Sequence, residues 1–218
     1  TEMRSQGGNV MEAFKADLQE QGKSPKTIEH ALSLIRRIYR KVEAWGVYRG
    51  KAPTDRIQWP RYDNRRARWL SPDEARALLE EVHRRCRDPQ KSFWCVCVAA
   101  LYTGMRFGEI ASLKGEQVNL SAGTIRVQDT KSGRDRTVFI SGELRRVFMG
   151  KPTPPGQVVF PSRTGGVRTE PSAMFRRAVD ALEFNKGVDD SRHRVVFHSL
   201  RHTFGSWLAI SGVPLYWI

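Results

Sequence analysis

Residues 197–207, FHSLRHTFGSW, set three groups capable of chemistry, His198, Arg201 and His202, within five positions. On a helix, positions three and four apart share a face. His198 and His202 would then make half of a metal site, while His198 and Arg201 would make a grip for an anion. A zinc-binding helix of the His-Glu-x-x-His kind carries Glu directly after its first His. Here Ser199 and Leu200 follow instead, and Arg201 would set a cation beside the metal. The anion grip is the better reading, with no metal and no cofactor expected, and His202 in a structural or supporting place. Phe197, Leu200, Phe204 and Trp207 read as the buried side that holds His198 and Arg201 in position.

Two further stretches carry chemistry of the same kind. In TGMRFGEIASL (103–113), Arg106 follows a glycine break and Glu109 stands one helical turn later. In DTKSGRDRTV (129–138), Lys131 sits in a Gly-containing turn between two β-like runs, 124–129 and 135–140. Taken singly these are an intrahelical Arg–Glu pair and an exposed turn lysine.

The elements that must position these groups can be read from periodicity and turn chemistry. Residues 9–22 suit an amphipathic helix with Val10, Phe14 and Leu18 on one face. Ser24-Pro25 opens a second helix, with apolar residues at three- and four-residue spacing from Ile28 to Trp45. Its other side bears Arg36, Arg37, Arg40 and Lys41, a stripe suited to phosphate contact. Residues 50–70 hold two prolines and five arginines without periodicity, as an exposed linker would, and Arg65, Arg66 and Arg68 are expected to close on a polyanion. At Ser71-Pro72, with Glu74 three residues past the cap, a capping box starts a new helix. The apolar run 92–104 reads as a buried helix, 158–160 as a possible further strand, and 172–183 and 199–210 as helices. The expected fold is therefore mainly α with a small antiparallel sheet (α+β). A helical domain over 1–49 and a basic linker over 50–70 precede a mixed domain over 71–218.

Composition bounds the partners. The 218 residues carry 37 Lys and Arg against 23 Asp and Glu, a formal net charge of +14. Residues 1–70 hold 15 basic and 8 acidic residues and 71–218 hold 22 and 15, so each part is +7. A basic excess in both parts fits a polyanion contacted along its length, with nucleic acid the natural candidate. No apolar run approaches the ~20 residues needed to span a bilayer, and the N-terminus has no apolar secretory core, so no membrane partner is expected. Cys86, Cys95 and Cys97 lack metal-binding spacing and read as reduced core thiols of a cytoplasmic protein.

In order and context, the three stretches resemble the tyrosine recombinase (phage integrase) family over nearly the whole chain. TGMRFGEI is similar to the family's first arginine box, HSLRHTFGSW to its H-x-x-R box, and the TK of a hairpin to its lysine. The resemblance implies a helical DNA-clamping (core-binding) domain followed by a catalytic domain. It also implies cleavage and rejoining of double-stranded DNA through a 3′-phosphotyrosyl intermediate, for site-specific recombination or integration.

By the same resemblance, Arg106 and Arg201 hold the non-bridging oxygens of the phosphate, and Lys131 protonates the leaving 5′-oxygen. His198 relays the nucleophile's proton, and Glu109 orients Arg106 or His198. The chemistry is phosphoryl transfer without a metal, in which two permanently charged, fork-shaped guanidiniums suit the extra negative charge of the transition state. The family's nucleophilic tyrosine lies well beyond the second arginine, so it is expected outside these 218 residues. Tyr216 in GVPLYWI is expected to pack. A homo-oligomer on DNA, a tetramer by resemblance, and a nucleoid-associated place in the cytoplasm are implied. A type IB topoisomerase-like enzyme, or a DNA-binding relic that no longer cuts, would share these features.

Overall fold

The computed structural model describes residues 3–63, 65, 67–86, 93–128, 135–150 and 152–214. The chain divides into two compact units, one running to residue 64 and one starting at 65. Lys131, Arg66 and Tyr216 lie outside the described residues.

The first unit is built on α1 (Met3–Glu20) and α2 (Pro25–Ala44). Ser24 caps α2 by accepting the Thr27 amide at 3.2 Å, and Pro25 occupies the first turn, where its missing N–H is not needed. Ile28 and Leu32 of α2 are buried with Ile57, and Met11, Phe14, Leu18 and Trp59 pack against them. The α1 face differs from expectation by one residue: Met11 covers the core, whereas Val10 is 58% exposed.

The linker expected over 50–70 is not free-standing. A 3-10 turn (Pro53–Arg56) and the residues after it close the first unit's core, with Thr54 and Ile57 buried. The carbonyl of Gln58 accepts from Lys15 at 2.9 Å, and Tyr62 donates to Glu29. Two helices alone would leave the Ile28–Leu32 face wet, and this segment covers it. An irregular covering segment has no period of its own, so its sequence reads as a linker. At the far end, Leu70 belongs to the second unit, fully buried, with its amide bonded to Thr203 Oγ1 at 2.9 Å.

The second unit is arranged around α4 (Phe93–Thr103), buried on nearly every side and packed against α3 (Pro72–Arg85), α5 (Phe107–Ala111), α6 (Gly142–Met149) and α8 (Phe197–Ile210). A helix apolar all round belongs in the middle of a core, as its sequence predicts. The capping box at α3 forms: Ser71 Oγ accepts the Glu74 amide at 3.1 Å and Glu74 accepts the Ser71 amide at 2.8 Å. α7 (Ala173–Ala181) packs on α3.

The sheet is antiparallel in the order β1 (Val118–Asn119), β2 (Thr124–Val127), β3 (Arg136–Phe139), with Ile125 opposite Val138 and Val127 opposite Arg136. Alternation puts Ile125, Val127 and Val138 in the core and leaves Arg126 and Phe139 outside. The strand expected at 158–160 is reduced to a single antiparallel bridge between Val158 and Lys114, with Val159 and Phe160 buried beside it.

Candidate active site

Arg106 stands at the N-terminus of α5 in extended backbone, φ −70° and ψ 153°, directly after the turn at Gly104 and Met105. One turn later Glu109 folds back onto it, accepting the Arg106 amide at 2.8 Å and its Nη1 at 3.0 Å. The Glu109 side chain is only 8% exposed, while that of Arg106 is 41% exposed. A buried carboxylate needs partners, and it has a second one that sequence reading missed. Arg136, the first residue of β3, places Nη1 at 3.0 Å and Nη2 at 2.6 Å from the two Glu109 oxygens. The signal in the sequence was slight, an arginine opening a strand next to an aspartate. Burial alone would raise the Glu109 pKa, but the bonds from Arg136 and from the Arg106 amide and side chain outweigh it and hold it at about 2.

Arg201 arrives from α8. Its helix is anchored by Ser199, Leu200 and Thr203, all fully buried, and by Phe197, whose ring meets Phe93, Phe107 and Phe175 with centroids 5.3–5.7 Å apart. Trp207 is half-buried and donates from Nε1 to the Leu70 carbonyl at 3.1 Å. The apolar side expected for HSLRHTFGSW is thus core at its N-terminal end and half-covered at Phe204 and Trp207. Arg201 itself is half-buried, and its Nη1 donates to the carbonyl of Gly104, two residues before Arg106. Burial, then the positive charges of Arg106 and Arg136, depress the Arg201 pKa, against the pull of Glu109. With its bond to Gly104, this sets Arg201 next to the Arg106–Glu109–Arg136 bridge, three guanidiniums and one carboxylate in one neighbourhood.

His198 is exposed on the first turn of α8, its ring edge-on to His202 with centroids 4.8 Å apart. A cleft of about 480 Å³ opens at Arg201 and His202, lined also by Thr103, Gly104, Arg136 and Ser206 but not by His198. A larger cleft of about 670 Å³, lined by residues including Leu79, His83, Trp94, Tyr102 and Trp207, contains none of the site residues named from the sequence. The structure therefore brings together Arg106, Glu109 and Arg201 and adds Arg136. With three cations against one anion, the cluster keeps a net positive charge and is suited to holding an anionic group.

The basic residues named outside this cluster divide into two kinds. Arg37, Arg40 and Lys41 are exposed on α2, with the Lys41 ammonium 5.4 Å from the Trp45 ring centroid. Arg36 instead turns to its own unit, 3.3 Å from Asp55 and 5.3 Å from the Trp59 ring centroid. Arg65 is exposed. Arg68 bonds both oxygens of Glu74 and the Trp69 carbonyl at 2.6 Å, so its guanidinium braces the start of α3.

The chain is similar to known proteins along most of its length. The model of the phage integrase family matches residues 68–218. The integrase of Salmonella phage P22 is 29% identical over 197 residues, which cover 84% of this chain and 47% of that protein. Tyrosine recombinase XerD of Vibrio cholerae is 27% identical over 220 residues, covering 94% of this chain and 68% of the relative. Among solved structures, the Tn1549 transposon integrase in complex with a circular intermediate DNA superposes with a TM-score of 0.73 at 20% identity, over 95% of this chain and 74% of that one. A lambda integrase tetramer bound to a Holliday junction gives 0.69 at 17% identity, over 92% and 59%. The chain spans about half the length of the phage integrases it matches, 47% and 50% for those of phages P22 and 186.

Proposed function

Because the chain belongs to the phage integrase family, we propose that it is the DNA-holding and phosphate-binding part of a tyrosine-type site-specific recombinase. The observation that carries this reading is that Arg106 and Arg201, from separate boxes of the sequence, meet at the Gly104 turn, where Arg201 bonds the Gly104 carbonyl two residues before Arg106, itself held by Glu109.

In the proposed reaction a tyrosine hydroxyl attacks a phosphodiester of duplex DNA, forming a 3′-phosphotyrosine bond and releasing the 5′-oxygen. Arg106 and Arg201 hold the non-bridging oxygens as negative charge grows on them, the task for which bidentate, permanently charged donors are suited. His198, exposed beside Arg201, accepts or relays the proton of the attacking hydroxyl. Lys131 delivers a proton to the departing oxygen. Rejoining is the same sequence reversed, so the energy of the phosphodiester is conserved in the intermediate. Residues 1–70 and 71–218 are each +7, which supports contact with the DNA backbone by both parts of the chain. We further propose that copies assemble on DNA and that the protein works in the cytoplasm on chromosomal or element DNA. No helix of the described residues is long and apolar enough to cross a membrane.

The test is covalent capture. The protein as its gene encodes it should form an adduct with a nicked suicide DNA carrying its site. Arg201→Ala and Arg106→Ala should each slow this by ~10²–10³-fold, the usual effect of removing one oxyanion donor. Residues 1–218 alone should bind the DNA and form no adduct. An adduct on Tyr216, or cleavage indifferent to both arginines, would overturn the reading.

A further inference from the structure

Arg136 has no role in the mechanism just described, yet its Nη2 meets Glu109 at 2.6 Å, closer than the 3.0 Å of the Arg106 guanidinium. It opens β3 and stands five residues after Lys131 in the chain. With Nη1 at 3.0 Å it meets both Glu109 oxygens, whereas Arg106 reaches Glu109 through a single guanidinium nitrogen, at 3.0 Å, beside its amide bond. It also lines the cleft that holds Arg201. A carboxylate 8% exposed attracts whatever cation is near, and a guanidinium alone with it would close a two-point fork. Arg136 takes that fork for itself.

We propose that Arg136 is a positioning residue that occupies Glu109, so that Arg106 keeps its exposed edge for the phosphate. The same bridge fastens the start of β3, the strand following the Lys131 segment, to the helix that bears Arg106. The inference rests on the recombinase reading for what Arg106 does, but not for the bridge itself. The positive charge of Arg136 also offsets the Glu109 carboxylate, so the cluster as a whole keeps a net positive charge.

The experiment compares Arg136→Ala, Arg136→Lys and the double variant Arg136→Ala/Glu109→Gln in single-turnover cleavage of a suicide DNA at saturating protein, together with DNA affinity. Arg136→Ala should lower the cleavage rate by about tenfold or more while affinity stays within about threefold, since a transition-state contact is misdirected rather than a ground-state one lost. Arg136→Lys should fall between. The double variant should recover cleavage, because no buried carboxylate remains to capture Arg106. If Arg136 only held the fold, losing both halves of the bridge would cleave no better than Arg136→Ala. That result, or an unchanged rate in Arg136→Ala, overturns the proposal.

A carbon-13 titration of the Glu109 carboxyl in the 218-residue chain separates this from the function itself. Its midpoint should climb in Arg136→Ala, and an unmoved midpoint overturns the proposal. If even the wild-type protein forms no DNA adduct, the recombinase reading falls, while the titration still decides whether Arg136 governs Glu109.

Discussion

Arg201 donates through Nη1 to the main-chain carbonyl of Gly104, 97 residues earlier in the sequence. Gly104 ends α4 with φ +62°, a left-handed conformation natural to glycine, and a Cβ there would run into the Phe204 ring. The turn that leads into Arg106 is therefore also the surface on which Arg201 rests.

Gly104→Ala should consequently damage stability and site together. The left-handed backbone costs an L-residue about 1–2 kcal/mol, and displacing Phe204 costs about 1–3 kcal/mol more as overpacking. A loss of about 2 kcal/mol or more in denaturant unfolding is expected, with cleavage reduced beyond what the unfolded fraction explains. A change of less than about 0.5 kcal/mol, the scale of an ordinary surface substitution, would show that the turn tolerates a side chain.

Arg68→Ala should separate bracing from DNA contact. Its partner Glu74 is held below the usual carboxylate range, first by the bond from Arg68, and both side chains are about 30% exposed (28% and 31%). For a part-exposed pair the loss should be modest, about 0.5–1 kcal/mol. Substituting Arg65, which is exposed, should instead act on DNA affinity. Equal melting temperatures for wild type and Arg68→Ala, measured at low salt, would mean the bridge contributes nothing to folding.

Glu109 makes a prediction about acid. Its pKa falls from an ordinary 4.5 to about 2 in the folded chain, so its ionised form stabilises the fold fully above about pH 4.5. That contribution is lost as pH falls from about 4.5 towards 2. Glu81 and Asp190 are lowered as well, so wild type must be compared with Glu109→Gln. The stability gap between them should be widest near pH 5–7 and should shrink towards pH 2. A gap independent of pH would mean that shape rather than charge sets the role of Glu109.

DNA affinity should fall steeply with salt. If six or more phosphates are contacted, the dissociation constant should rise by roughly 10³-fold or more between 50 and 200 mM salt. Changing Arg37, Arg40 and Lys41 together to alanine should flatten that slope and leave unfolding nearly unaltered, because all three are exposed. A slope unchanged by the triple substitution would remove α2 from the interface.

Much of the site was legible because its spacings are local. A helical turn puts His198 with Arg201 and Arg106 with Glu109, and caps at Ser24 and Ser71 are written in two or three neighbouring residues. The buried character of α4 follows from composition alone, since an eleven-residue run with no polar side has nowhere else to go. What tertiary structure decided was which local pieces meet. The bond from Arg201 to Gly104, the bridge from Arg136 to Glu109, and the cover that Ile57 and Trp59 give Ile28 all join residues 27 or more positions apart. Periodicity carries no information about such pairs. They are selected by the packing of whole helices and strands against one core, and the buried Glu109 carboxylate then requires whatever cations that packing delivers.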